Sequence, residues 1–280
     1  GFDYRTNIEY TVAADGSISV NSTIIPSTKG VIIPRIGYRM ELPEGFERMR
    51  WYGRGPLENY VDRKDATYVG VYDELVSDQW VNYVRAQEMG NREDLRWISI
   101  TNPDGIGFVF IAGDKMSASA LHATAQDMVD SANHRRLLHK YEVPMRKETV
   151  LCLDANQRPL GNASCGPGPM QKYELRSQPT VFSFIILPLE RSYSTEELIK
   201  KARVQMPVCM PVLIERDNNG YLNLKTNTPG ATVHYSLNGG EEKIYTEPFE
   251  FISGGHVEAY AVSEQLGKSA GTSAEFPIYV

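Results

Sequence analysis

The sequence predicts an all-β protein, with a large sandwich and a small immunoglobulin-like sandwich joined by a short helix. Three observations carry that expectation. Most of the chain divides into short runs rich in Val, Ile, Tyr and Phe, bounded by Asp-Gly, Asn-Gly, Pro-Gly and similar turn pairs. No strand–helix–strand alternation occurs, so a (β/α)8 barrel is excluded for this segment. Residues 190–203 alone carry a good helical signature, and a proline-punctuated break at 206–211 follows them. The expected division is a large sandwich over 1–190, a helix and Pro-rich linker over 191–211, and a small sandwich over 212–280.

Taken in order, residues 4–25 read as a hairpin around Asp15-Gly16. A strand pair is expected at Ile36 to Leu42 and Arg48 to Tyr52, turned by Pro43-Glu-Gly45. A long loop then leads to a short strand at Thr67 to Tyr72. The clearest hairpin is Trp97 to Thr101, turn Asn102-Pro-Asp-Gly105, and Ile106 to Ile111. Its second strand is apolar at nearly every residue, which predicts burial on both faces. Thr124 to Ala132 can hold one helical turn. Another strand pair is expected at Arg146 to Asp154 and Tyr173-Glu-Leu, and Thr180 to Leu187 closes the sandwich. In the helix, Ser194 or Thr195 can cap the start. Glu196 and Glu197 oppose the positive end, and Lys200, Lys201 and Arg203 the negative one.

Composition narrows the function classes. The 280 residues carry a net charge of −6, which argues against nucleic acid as a partner. No apolar run is long enough to cross a membrane. The three cysteines, Cys152, Cys165 and Cys209, have no CxxC spacing, so free thiols are expected rather than a disulfide framework or a metal site. His122, His134 and His139 have no zinc-ligand spacing, and no cofactor motif is present. The glycine-rich stretch 161–168 lacks the Lys-Ser/Thr of a phosphate loop. The chain begins Gly1-Phe-Asp-Tyr without an initiator Met, as an excised piece of a longer protein would.

The chemistry-bearing stretch is Met49 to Trp97. It sets Trp51, Tyr52 and Tyr60 beside Arg54, Glu58, Asn59, Asp62 and Arg63, then Glu88, Asn91, Arg92, Glu93 and Asp94 before Trp97. Planar rings next to bidentate donors and acceptors suit the apolar faces and hydroxyl edges of a sugar, so Trp51, Tyr52 and Trp97 are candidate stacking aromatics. A buried polar network that locks loops onto a sheet explains the same residues equally well. Glycoside hydrolysis needs two facing carboxylates. Each carboxylate cluster here has arginines beside it, however, and structural ion pairing accounts for that without catalysis.

These residues also resemble a known family. Trp51-Tyr-Gly-Arg-Gly-Pro-Leu-Glu-Asn-Tyr60-Val-Asp-Arg63, Gln87-Glu-Met-Gly-Asn-Arg92 with Asp94 and Arg96-Trp97, His134 to Leu138, and Leu160-Gly-Asn-Ala-Ser-Cys-Gly-Pro-Gly168 carry the likeness. Over roughly 1–190 the chain resembles the C-terminal, small-chain domain of large bacterial family 2 β-galactosidases. The resemblance implies a two-sheet supersandwich similar to galactose mutarotase. It also implies a parent glycosidase whose catalytic glutamates lie on an upstream TIM barrel, so no catalytic residue is expected here. The upstream barrel and sandwich domains of the same polypeptide and a β-galactoside become the implied partners, in a bacterial cytoplasm or periplasm. Self-association into a homo-oligomer stays open.

Glu88, Asn91, Arg92 and the loop around Cys165 are the implied substrate contacts. Aligned on Gly161, Ser164 and Pro167, Cys165 falls where the family usually presents a stacking tryptophan. Such a contact is then lost or supplied by another domain, unless Cys165 is simply a small residue in a tight turn. Ala86 stands where the family has proline. Residues 229–261 resemble small C-terminal modules of chitobiases and related glycosidases. A non-catalytic carbohydrate-binding or interaction module is the alternative reading of the whole chain.

Overall fold

The computed structural model describes residues 2–132, 136–161, 166–205, 209–264, 266–269 and 271–279. Its elements are β1 (Tyr4–Val12), β2 (Ile18–Pro26), β3 (Arg35–Leu42), β4 (Arg48–Gly55), β5 (Tyr68–Leu75), β6 (Arg92–Thr101), β7 (Ile106–Leu121), β8 (Val129–Asp130), β9 (Arg136–Leu137), β10 (Thr149–Gln157) and β11 (Thr180–Glu190). Then follow α1 (Thr195–Gln205), β12 (Leu213–Arg216), β13 (Tyr221–Lys225), β14 (Thr232–Leu237), β15 (Lys243–Ile244), β16 (Phe249–Glu250), β17 (Gly255–Ser263), β18 (Gly267–Lys268) and β19 (Thr272–Phe276). Among the described residues the protein is all-β apart from α1 and three short 3-10 turns.

The large sheet runs β1-β2-β11-β7-β6-β4-β5, with β10 on β7 and β3 on β10. The long strand β7 makes this a sandwich. Its first half, through Ala112, lies between β11 and β6, while Ser117 to Leu121 pairs with β10. Between the pairs Leu95–Met116 and Trp97–Ile111, β6 advances two residues and β7 five. The extra residues form a bulge, which bends a strand and increases its twist. The sheet thereby folds over on itself. Tyr38 of β3 meets Phe182 and Phe184 of β11 at centroid distances of 6.1 and 5.4 Å, although the two strands do not pair. Val20, Trp51, Ile98, Phe110, Ala118, Leu151 and Leu153 fill the space between the layers.

The outer face of β6, β7 and β11 is closed by α1. Leu198 and Ala202 of the helix cover Trp97, Val109, Ile111, Ile185 and Leu187. This explains the continuously apolar β7: Phe110 points into the sandwich, while Val109 and Ile111 point at the helix. Ser194 caps α1 reciprocally. Its hydroxyl accepts the Glu197 N–H at 3.2 Å, and its own N–H donates to the Glu197 carboxylate at 2.7 Å.

The β1–β2 hairpin forms as expected, with Gly16 at φ +79° in the turn. Two expected pairings do not form. β3 and β4 both exist, but β3 pairs with β10 and β4 with β5 and β6, so Pro43 to Glu47 crosses from one layer to the other. Sequence-adjacent strands gave the wrong partner because pairing here is set by which layer each apolar face covers. Tyr173 lies in a 3-10 turn rather than a strand, and the partner expected for it, β10, is taken by β3 and β7. The segment 124–132 turns without forming a helix.

In the C-terminal part, β12-β13-β16 and β15-β14-β17-β18 with β19 form two further sheets. Ile214, Leu222 and Leu224 of the first pack with Val233, Val257, Ala259 and Ala274 of the second.

Phe184 is 2% exposed, whereas Tyr10 on edge strand β1 is 61% exposed. Phe184→Ala is expected to cost about 3–5 kcal/mol in a urea melt. Tyr10→Ala should stay within about 0.5 kcal/mol of the parent.

Candidate functional site

The motif residues gather where three connections meet: 56–67 after β4, 80–91 before β6, and 158–161 after β10. Two asparagines clasp the first two. The Asn59 N–H donates to the Asn91 carbonyl at 2.8 Å, and the Asn91 side-chain amide donates to the Asn59 carbonyl at 2.9 Å. The Asn59 side-chain oxygen also accepts the Glu93 N–H at 2.8 Å. Both asparagines are fully buried, so these bonds replace water that cannot reach them.

Glu58 reinforces the clasp. It accepts the Gly90 N–H at 2.8 Å, the Arg63 guanidinium at 2.5 Å and the Tyr83 hydroxyl. Gly90 sits at φ +76°, a conformation that suits glycine. Asp62 secures the third connection by accepting the Leu160 and Gly161 N–H groups at 3.2 and 2.8 Å. It thus holds the root of the 161–168 loop; Cys165 itself, like His134, lies outside the described residues. Asp94 is gripped by Arg54 at 2.5 Å and Lys64 at 3.3 Å. Burial pushes its pKa up, but the bond to Arg54 and the charge of Lys64 outweigh that and hold it below the usual carboxylate value. For Glu93 burial prevails, and its pKa stays above the usual carboxylate value despite Lys64.

Among the implied contacts, Asn91 and Arg92 are internal struts. Arg92 is 4% exposed, donates to Gln79 at 2.6 Å, and lies 5.0 Å over the Trp51 ring. The stacking role expected of the aromatics is corrected by burial. Trp51 is sandwiched between Arg92 and Tyr72 inside the core, and Trp97 lies beneath α1. Both are 1% exposed or less, so neither indole offers a face to a sugar. Tyr52 is half-buried and covered by Arg96 at 5.5 Å. The cause is topological: β4 and β6 are interior strands, and Trp51 faces the sandwich core while Trp97 faces the helix.

Glu88 differs from the other carboxylates. It lines a cavity of about 670 Å³ together with Arg35, Gln87, Met89, Cys152 and Asp154, bounded on one side by the turn 123–129. Arg35 binds Asp154 through two nitrogens at 2.6 and 3.1 Å and reaches Glu88 only at 3.5 Å. Burial pushes the Asp154 carboxyl up to about 6 even with Arg35 opposing it. Arg35 and Asp154 carried no signal as site residues in the sequence, beyond an acid placed in the apolar run Val150 to Asp154. The histidines are separate: His122 bonds Glu47 at 2.7 Å, and His139 bonds the Val84 carbonyl.

The family model for the β-galactosidase small chain matches residues 2–186, and the chain belongs to that family. It is 39% identical over 102 residues to a β-galactosidase of Priestia megaterium, covering 36% of this chain and 10% of that protein. It is 32% identical over 154 residues to one from Arthrobacter sp., covering 53% and 14%. A Kluyveromyces lactis β-galactosidase is 29% identical over 185 residues, covering 65% and 17%. The chain therefore spans well under a fifth of the length of these relatives.

Two outcomes follow from the geometry. Asn59→Ala strands the Glu93 N–H and should cost about 1–3 kcal/mol in chemical denaturation. The cavity wall should respond to acid. Asp127, bonded to Arg146 at 2.5 Å and to both the N–H and hydroxyl of Thr124, folds the 124–128 turn. The Arg146 bond, opposed by burial and helped by Thr124, lowers the Asp127 pKa to about 2, below the ordinary 3.8. Its contribution is thus fully present above pH ~4 and lost as pH falls through about 2. Asp127→Asn should lower the melting temperature at pH 7, and the gap to the parent should close near pH 2.

Proposed function

We propose that this chain is the C-terminal region of a β-galactosidase, completing one wall of the substrate cleft of an upstream catalytic barrel and not hydrolysing glycosides alone. We further propose that 1–190, 191–211 and 212–280 are its units, the last an immunoglobulin-like accessory module. The observation that carries the reading is the Asp62 anchor. A motif carboxylate spends both oxygens on the backbone at the root of the 161–168 loop, the loop that the family directs at the substrate. Glu58, Asp62 and Asp94 are each bonded at both oxygens, which suits positioning rather than proton transfer. The role of this surface is therefore to hold a loop at a fixed place beside chemistry done elsewhere.

The test uses a chromogenic β-galactoside. This chain alone should give no turnover, and the longer polypeptide containing the barrel should hydrolyse it. Asp62→Ala in the longer protein should lower kcat/KM at least about tenfold, about 1.4 kcal/mol, and Cys165→Trp should shift substrate affinity. Turnover by the isolated chain, or unchanged kinetics in both variants, would remove the loop from the cleft.

A further inference from the structure

The cavity beside Glu88 is built differently from the motif network. Its lining is largely apolar, with Val129 and Leu137 partly exposed to it and Met89, Leu121 and Met128 buried behind. Into this surroundings project two opposite charges that are nearly, but not fully, paired. The Arg35 nitrogen facing Glu88 is 3.5 Å from the carboxylate, at the limit of a hydrogen bond. The two side chains are 29% and 32% exposed, so both can be reached from the cavity. The other edge of Arg35 is closed by Asp154 at 2.6 Å, which fixes the guanidinium plane. Glu88 makes no other hydrogen bond among those of the described residues, in contrast to Glu58, Asp62 and Asp94.

A donor 3.5 Å from an acceptor invites a group that can serve both at once. A hydroxyl does so: its oxygen accepts from Arg35 while its hydrogen goes to Glu88. Neighbouring hydroxyls would find Gln87 and Gln126, which line the same space. An anion is disfavoured, because two carboxylates already surround Arg35, and Arg39 is turned toward Gln126 at 3.0 Å. A wholly apolar ligand would desolvate the Arg35–Glu88 pair and bond neither group. A ring with an apolar face and adjacent hydroxyls satisfies every part of the lining, and 670 Å³ is within the usual size of a small-molecule site.

We propose that this cavity is a binding site for a neutral polyhydroxylated ring, of the monosaccharide class, held by Arg35 and Glu88 beside Val129 and Leu137. The site lies wholly within this chain, so it does not rest on the barrel or on the loop anchored by Asp62. Its failure would leave the reading above intact.

The experiment is a titration of the 280-residue chain with galactose, glucose and, as a zwitterionic control, glycine, followed by saturation-transfer NMR and calorimetry. Saturable binding of a monosaccharide at millimolar concentration is expected, weakened at least about tenfold in Glu88→Ala. Glu88 is partly exposed and makes a single long contact, so this variant should keep the parent's melting curve; Glu88→Gln is the second variant, which retains the size and loses the charge. No saturable sugar binding would overturn the proposal. So would binding unchanged in both variants, which places the sugar elsewhere, or saturable glycine binding in preference to sugar, which assigns the cavity to a zwitterion.

Discussion

Everything in the large unit depends on one strand serving two layers. β7 pairs with β6 on both sides of its bulge, with β11 before it and with β10 after it. A sheet that must cover its own inner face needs a point where the ladder changes direction without exposing its hydrogen bonds, and a bulge supplies it. The layers then close over an aromatic contact, Tyr38 against Phe182 and Phe184, which no backbone ladder enforces. The helix seals the opposite face, so the middle strands are buried on both sides. That burial has a functional cost: it leaves the indoles of Trp51 and Trp97 inside. The polar residues of the same segments are left to bind one another at the sheet's end.

The network there is a set of backbone attachments. Asn59 donates its N–H to the Asn91 carbonyl and receives the Asn91 side-chain amide on its own, Glu58 reads the Gly90 amide, and Asp62 reads two amides beyond β10. Charged groups bonded in this way are stronger partners than neutral ones and, when buried, costly to leave unmade. Three connections that are distant in sequence are thereby held as one surface. Membership of the β-galactosidase small-chain family and this clasp fall on the same stretch, residues 2–186.

Much of this was legible in the sequence, and the exceptions share a cause. Asp15-Gly16, Asn102 to Gly105 and Ser194 with Glu197 act within a few residues, so local turn and cap chemistry sufficed to find them. The unbroken apolar run of β7 announced two covered faces. Long-range choices were hidden. Nothing near β3 says that its partner lies more than a hundred residues on in β10 rather than next door in β4. Residue type pointed to rings and arginines as sugar contacts, yet position inside or outside an interior strand decides whether a ring can be touched. Glu88 was nameable from its motif, but Arg35 and Asp154 became its companions only through the pairing of β3 with β10.

The anchor at Asp62 makes the attachment a property of the main chain. Among the described residues its carboxylate meets the N–H groups of Leu160 and Gly161 and no side chain. Every residue but proline carries that donor, so the contact reads where the chain runs and not which side chain stands at 160. What Asp62 fixes is a path.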